Sequence, residues 1–254
     1  MKKFLLVISF ALLLGNYVYA QQVDGIKFEI KQYNKSTKKA IVSLSYPVFV
    51  YEDNPVVADS LNKIVNRWMG LQKFSKKKKK YIEVTPKDIL KEYEECYEGP
   101  LEDMQTEVDR KVTVMLNDHG IVTLEFQEYL FTGGAHGNSY LSYLVYDLTG
   151  AKRVKLGEMF VKGYINKLTS IGEVYFRKER GLKSDENLTD AGYWFEEDVF
   201  RLNDNFYLTG NGLGFTYNQY EIACYAMGIT TFTIPFKDLK ILVSPTSILK
   251  NFIK

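Results

Sequence analysis

Apolar and polar residues alternate from the first part of the chain onward. Ile26-Lys27-Phe28-Glu29-Ile30 has the period-2 pattern of a half-buried strand, and Ala40, Val42, Leu44 and Tyr46 line one face of a second. The polar stretch Lys35 to Lys39 between them predicts a turn, and Pro47 predicts an end or a bulge. The period then changes. Asn54-Pro55 reads as an N-cap followed by proline at the first helical position, and Val57, Leu61, Ile64, Val65 and Trp68 follow at helical spacing to about Leu71. Five adjacent lysines, Lys76 to Lys80, predict a solvated loop or helix face, with contact to an anionic envelope surface as the functional alternative.

A second helix starts at Thr85-Pro86-Lys87-Asp88, where the acid three residues after the threonine suits a capping box. Its apolar face carries Ile89, Leu90, Tyr93, Cys96 and Tyr97, and Gly99-Pro100 ends it. Alternation resumes over Lys111–Leu116 and Ile121–Leu130 around the turn Asn117-Asp118-His119-Gly120, then over Asn138–Asp147 and a short strand ending at Leu156. Ile165, Leu168, Ile171, Val174 and Tyr175 space out a third helix, and Leu182 to Asp190 reads as polar loop. A hairpin over Asn205–Tyr217 and a last strand at Ile229–Phe236 complete the pattern. Strands and helices come in blocks, which predicts an α+β fold: antiparallel sheets with about three helices packed on them.

The residues before this pattern behave differently. Lys2-Lys3, the apolar run Phe4 to Gly15 and Val18-Tyr19-Ala20 have the order of a secretory signal peptide over residues 1–20. The apolar run falls short of the about 20 residues that a membrane span needs. An uncleaved anchor is the alternative, because Val18 stands where the small-residue motif has alanine. The expected location is extracytoplasmic, periplasmic or secreted, with no stable membrane span after cleavage. Residues 21–254 carry 31 basic and 31 acidic side chains, so the formal +2 of the chain belongs to the leader. No basic footprint points to nucleic acid.

At 46% hydrophobic, the chain can bury a substantial core. Its 19 Tyr and 16 Phe fit core and half-buried strands before they fit a ligand platform. Cys96 and Cys224 are 128 positions apart. Outside the cytoplasm they are a disulfide candidate, stabilising by about 4–5 kcal/mol on the chain-entropy model; two buried free thiols are the alternative.

Chemistry is sparse. The only histidines are His119, in a turn, and His136. No spacing of His and Cys suggests a metal site, no Gly-x-Ser-x-Gly elbow or phosphate-cradling loop is present, and no carboxylate pair stands out. Ser60/Lys63 and Ser75/Lys78 have Ser-x-x-Lys spacing without the companion motifs of a serine acyltransferase. No cofactor is expected. One cluster does stand out: Phe131-Thr-Gly-Gly-Ala-His-Gly137 places three glycines in five residues between two strands. It reads either as an exposed partner-binding loop or as a turn with His136 bonded to backbone.

That cluster, together with Tyr146-Asp-Leu-Thr-Gly-Ala-Lys152, Leu156-Gly-Glu-Met-Phe160, Phe215-Thr-Tyr-Asn-Gln-Tyr-Glu-Ile-Ala-Cys-Tyr-Ala-Met-Gly228 and Phe232-Thr-Ile-Pro-Phe-Lys-Asp-Leu239, resembles the DUF4163/DUF3298 architecture. Leu44-Ser-Tyr-Pro-Val-Phe49, followed by a helix containing Asn62, is similar to its deacetylase-associated first half. The resemblance implies two halves, 21–105 and 106–254, forming one compact unit. It also implies an extracytoplasmic module of the kind found beside peptidoglycan deacetylases and in a lysozyme-sensing anti-sigma factor. Deacetylation and transmembrane signalling are not carried over, since neither a deacetylase domain nor a cytoplasmic segment is seen, and Cys224 departs from the proline usual in the family.

The resulting expectation is a non-catalytic secreted binding module for a cell-envelope protein or glycan, with a muramidase such as lysozyme or peptidoglycan as ligand. The candidate contact residues are Gly133, Gly134, His136, Tyr140, Tyr220 and Glu221. The competing expectation is an envelope glycan hydrolase or deacetylase-like enzyme with a site around His136.

Overall fold

Alternating segments pair into a six-stranded sheet. A computed structural model describes residues 25–50, 52, 54–95 and 104–253; the leader at 1–20, Cys96 and the Gly99-Pro100 helix stop lie outside the described residues. The first segments are β1 (Lys27–Ser36) and β2 (Ala40–Val50), an antiparallel pair, and β1 at the sheet edge carries Lys27, Lys31 and Lys35, charges that discourage edge-to-edge association. The first helix, α1 (Pro55–Met69), is capped by Asn54, whose side chain accepts from the Val57 N–H, and closed by Gly70 at φ 80°. Val57, Leu61, Val65 and Met69 form its buried stripe against Val42, Leu44 and Leu124.

The lysine run forms the tip of a small hairpin, β3 (Gln72–Ser75) and β4 (Lys80–Glu83), whose short strands were not legible as alternation. The next helix, α2 (Pro86–Glu95), starts with the expected reciprocal box: the Thr85 N–H donates to Asp88 at 2.9 Å and the Asp88 N–H donates to the Thr85 hydroxyl at 3.2 Å.

The long antiparallel strands β5 (Thr106–Asp118), β6 (Ile121–Phe131) and β7 (Asn138–Asp147) follow, with a short β8 (Lys152–Arg153). His119 and Gly120, at φ 52° and 74°, make the two-residue β5–β6 turn that right-handed strand twist favours. The sheet order is β1-β2-β5-β6-β7-β8. One pairing departs from the antiparallel expectation: β2 and β5 run parallel, because α1, the hairpin and α2 form the long crossover a parallel pair requires. Pro47 sits inside β2 without breaking it. The last β2–β5 pair is Ser45–Lys111, so at Pro47 the strand has no neighbour on that side and a missing N–H costs no ladder bond.

The second layer holds α3 (Ile165–Arg180), β9 (Phe206–Leu208), β10 (Gly212–Tyr217), β11 (Thr230–Pro235) and the short α4 (Phe236–Leu239), with sheet order β11-β10-β9. Its apolar face gathers Phe215, Tyr217 and Phe232 in one cluster with Phe176 of α3, against which Phe195 packs edge-on and Phe200 tilted. The opposite face is hydroxyl-rich and meets the large sheet. There the Tyr143 and Tyr207 rings lie 4.6 Å apart, Thr216 bonds Tyr143 at 3.2 Å, and Tyr207 bonds Thr233 at 3.0 Å. Gly214 is required here, since a β-carbon would sit 2.0 Å from the Tyr207 ring. Burial pushes the Tyr143 and Tyr207 hydroxyls above the usual tyrosine range, so both stay neutral. The chain is α+β, as expected.

Candidate functional site

The two layers also meet where the glycine-rich β6–β7 loop approaches the segment after β10. Strand β7 is a sheet edge at Leu141, and an edge backbone needs partners. A side chain supplies them: Asn218 accepts from the Leu141 N–H at 2.7 Å and donates to its carbonyl at 3.0 Å. Asn205 donates to the same carbonyl at 2.9 Å, and Gln219 accepts from the Ser139 N–H at 3.2 Å. The same device recurs where Asn62 brackets Phe49 and where Asn117 brackets Ile26. A primary amide presents one donor and one acceptor at about peptide spacing, so asparagine can stand in for a missing strand.

This stitching brings the sequence candidates together. His136 stacks on Tyr225 with centroids 3.9 Å apart and planes at 23°, and Tyr220 lies 5.8 Å from Tyr225 with planes at 39°. Three rings thus form a row, drawn from two loops that lie far apart in sequence. The Gly137 carbonyl anchors it, accepting from the Tyr225 hydroxyl at 2.9 Å and from His136 Nδ1 at 2.9 Å. A carbonyl only accepts, so Nδ1 is the donor in this contact. Gly137 cannot carry a side chain, because a β-carbon would lie 2.3 Å from the Tyr129 hydroxyl.

Gly133 and Gly134, at φ 96° and 108°, have open space around them and form the loop tip. Tyr140 is 51% exposed on β7, next to the stitched Leu141. Tyr220 is 53% exposed at φ 63°, a backbone region that a bulky side chain rarely occupies and that stores strain. Glu221, exposed beside Tyr220, is also tied into the fold. Its carboxylate accepts from the Asn218 N–H at 2.8 Å and from Asn203 Nδ2 at 2.6 Å, so it clamps the turn that presents Tyr220. Cys224 is exposed, and the expected pairing with Cys96 falls outside the described residues.

Sequence reasoning passed over Tyr225, the central ring, and Asn218, the stitch. Both lie inside the quoted Phe215–Gly228 motif, but nothing local distinguishes them from other polar and aromatic residues. Trp194, 56% exposed, was also missed; its backbone N–H donates to the Ile222 carbonyl at 2.7 Å, which places it beside the same loop. Among the described residues no carboxylate bonds His136, no group of three His, Cys, Asp or Glu is arranged to hold a metal, and no helix is long and apolar enough to cross a membrane.

Residues 30–139 match the family described as Deacetylase PdaC, and residues 157–237 match the Protein of unknown function (DUF3298). No curated protein matches the chain. Among solved structures, a DUF3298-family member from Bacteroides fragilis is similar at 21% identity and TM-score 0.70, covering 91% of this chain and 99% of its own. A DUF3298-family protein from Pseudomonas aeruginosa is similar at 20% identity and TM-score 0.62, covering 88% and 96%. At these identities the likeness speaks for the fold.

Proposed function

Starting from a chain that belongs to the DUF3298/PdaC-like family, we propose a non-catalytic binding module of the cell envelope, whose ligand lies across the His136–Tyr225–Tyr220 row. The observation that carries this reading is the row itself: exposed His136 and half-buried Tyr225, both bonded to the Gly137 carbonyl, with exposed Tyr220 beside them on a strained turn. Rigid aromatic faces flanked by open backbone suit a sugar ring or the aromatic and apolar hot spots of a protein partner. Tyr140, Gly133 and Gly134 are exposed residues of the same β6–β7 segment as His136. A muramidase such as lysozyme and a peptidoglycan fragment are the two ligands to test, and the working location is extracytoplasmic.

The hydrolase alternative requires His136 to work with a carboxylate, yet its Nδ1 is engaged by the Gly137 carbonyl. The deacetylase in the name of the matched family comes to this chain only as a contrast: a binding reading needs no turnover. Calorimetric titration of the protein with lysozyme and with soluble peptidoglycan fragments tests the proposal. Saturable heat with either ligand, lost in Tyr225→Ala, supports it. Absence of heat with both, or unchanged heat in Tyr225→Ala, overturns it.

A further inference from the structure

We infer that the β3–β4 hairpin docks the protein onto an anionic lipid bilayer surface. The hairpin's strands pair only with each other, in the register Gln72–Glu83 to Ser75–Lys80, and link α1 to α2. Its tip consists of Lys76, Lys77, Lys78 and Lys79, with Lys80 opening the return strand, and all five are exposed. Among the described residues none of the five forms an ion pair, whereas Lys73 lower on the hairpin is paired with Glu92. The turn does not need them, since its bond runs from the Lys78 N–H to the Ser75 hydroxyl at 3.2 Å. Adjacent like charges repel, so folding alone gives no reason for the cluster.

Below the tip, Phe74 and Tyr81 face each other across the strands, edge to face at 5.5 Å, and are 56% and 46% exposed. The Arg67 guanidinium lies 3.9 Å from the Tyr81 ring centroid and fixes it from α1. Cations at the tip with aromatic rings just behind them match the chemistry of a bilayer interface, where phosphate heads lie beside a zone that tyrosine and other amphipathic rings favour. A soluble polyanion would satisfy the lysines but leave the aromatic pair without a role. Charge also orients the contact. Without these five lysines, residues 21–254 carry 26 basic against 31 acidic side chains, so an anionic surface attracts the hairpin and repels the remainder. The inference is independent of the binding reading, because the hairpin shares no residue with the aromatic row.

The test is partition of the full chain onto vesicles of phosphatidylcholine containing about one third phosphatidylglycerol, compared with pure phosphatidylcholine, since each lysine near an anionic surface is worth about five-fold in partition. The variant is Lys76→Gln, Lys77→Gln and Lys78→Gln together, sparing Lys79 because it holds φ 51° in the turn. The apolar N-terminal segment is common to both proteins, so their difference reads the hairpin. The triple variant is expected to bind phosphatidylglycerol vesicles on the order of 100-fold more weakly, to match the native protein on pure phosphatidylcholine, and to melt at the native temperature. Phe74→Ser is expected to weaken the phosphatidylglycerol partition by a factor that added salt leaves unchanged. Equal partition of native and triple variant overturns the inference. So does a difference that appears with inorganic polyphosphate and not with vesicles.

Discussion

Asn218 gives the sharpest handle on how the two layers are joined. In Asn218→Ala the Leu141 N–H loses its acceptor, while the Leu141 carbonyl keeps Asn205 at 2.9 Å. Leaving a donor unsatisfied costs about 1–3 kcal/mol when it is buried, and for this half-buried one about 2 kcal/mol is expected. Asn205→Ala is milder. Its two acceptors retain other donors, Asn218 on the Leu141 carbonyl at 3.0 Å and Asn203 on the Thr216 carbonyl at 2.8 Å. Loss of ordinary net hydrogen bonding then costs about 1 kcal/mol. Combining the two substitutions also strips the Leu141 carbonyl, so the pair is expected to cost about 4 kcal/mol rather than the additive 3, a coupling of about 1 kcal/mol. Urea unfolding of the native protein, both single variants and the double variant measures this, with an unchanged denaturant slope confirming an unchanged unfolding reaction. Strict additivity, or a cost below about 0.5 kcal/mol for Asn218→Ala, refutes the role assigned to the stitch.

Three further outcomes are expected. Tyr220→Gly relieves the φ 63° strain, so thermal or urea unfolding should show stability unchanged or raised by up to about 1 kcal/mol while ligand affinity falls at least about ten-fold. Gly137→Ala, which places a β-carbon 2.3 Å from the Tyr129 hydroxyl, should cost about 1–3 kcal/mol in urea unfolding and separate His136 from Tyr225; Gly163→Ala at φ 80°, with open space around it, should show only backbone strain of about 1 kcal/mol. Burial raises the hydroxyl pKa of Tyr143 and Tyr217 in the folded state, so each contributes stability that is fully present below pH 10 and lost as pH rises toward the folded pKa. Urea midpoints should therefore fall above about pH 10, by up to about 1.4 kcal/mol per pH unit for each such tyrosine, and Tyr143→Phe should flatten part of that fall.

Local signals predicted local structure well. The α1 cap at Asn54-Pro55, the Thr85–Asp88 box and the His119-Gly120 turn each follow from residues within a few positions of one another, and each appears in the fold. What stayed illegible is long-range. The parallel β2–β5 pairing depends on a crossover whose path the alternation does not encode, and β3 and β4 are too short for their pattern to rise above the lysine run. The candidate site divides in the same way. Glycine spacing singled out Gly133, Gly134 and His136 because positive φ demands glycine. Tyr225 and Asn218 become visible only when a loop 80 or so residues later is laid against β7. Glu221 entered the candidates with its neighbour Tyr220; of its two partners Asn218 is three residues away, and Asn203 is brought in by the fold.

The most direct test of the aromatic-row proposal is residue-resolved NMR of the protein titrated with lysozyme and with soluble peptidoglycan fragments. Binding across the row should shift amides of residues 131–140 and 218–225, and Tyr225→Ala should abolish those shifts. Shifts confined to other surfaces, or no shifts with either ligand, contradict it.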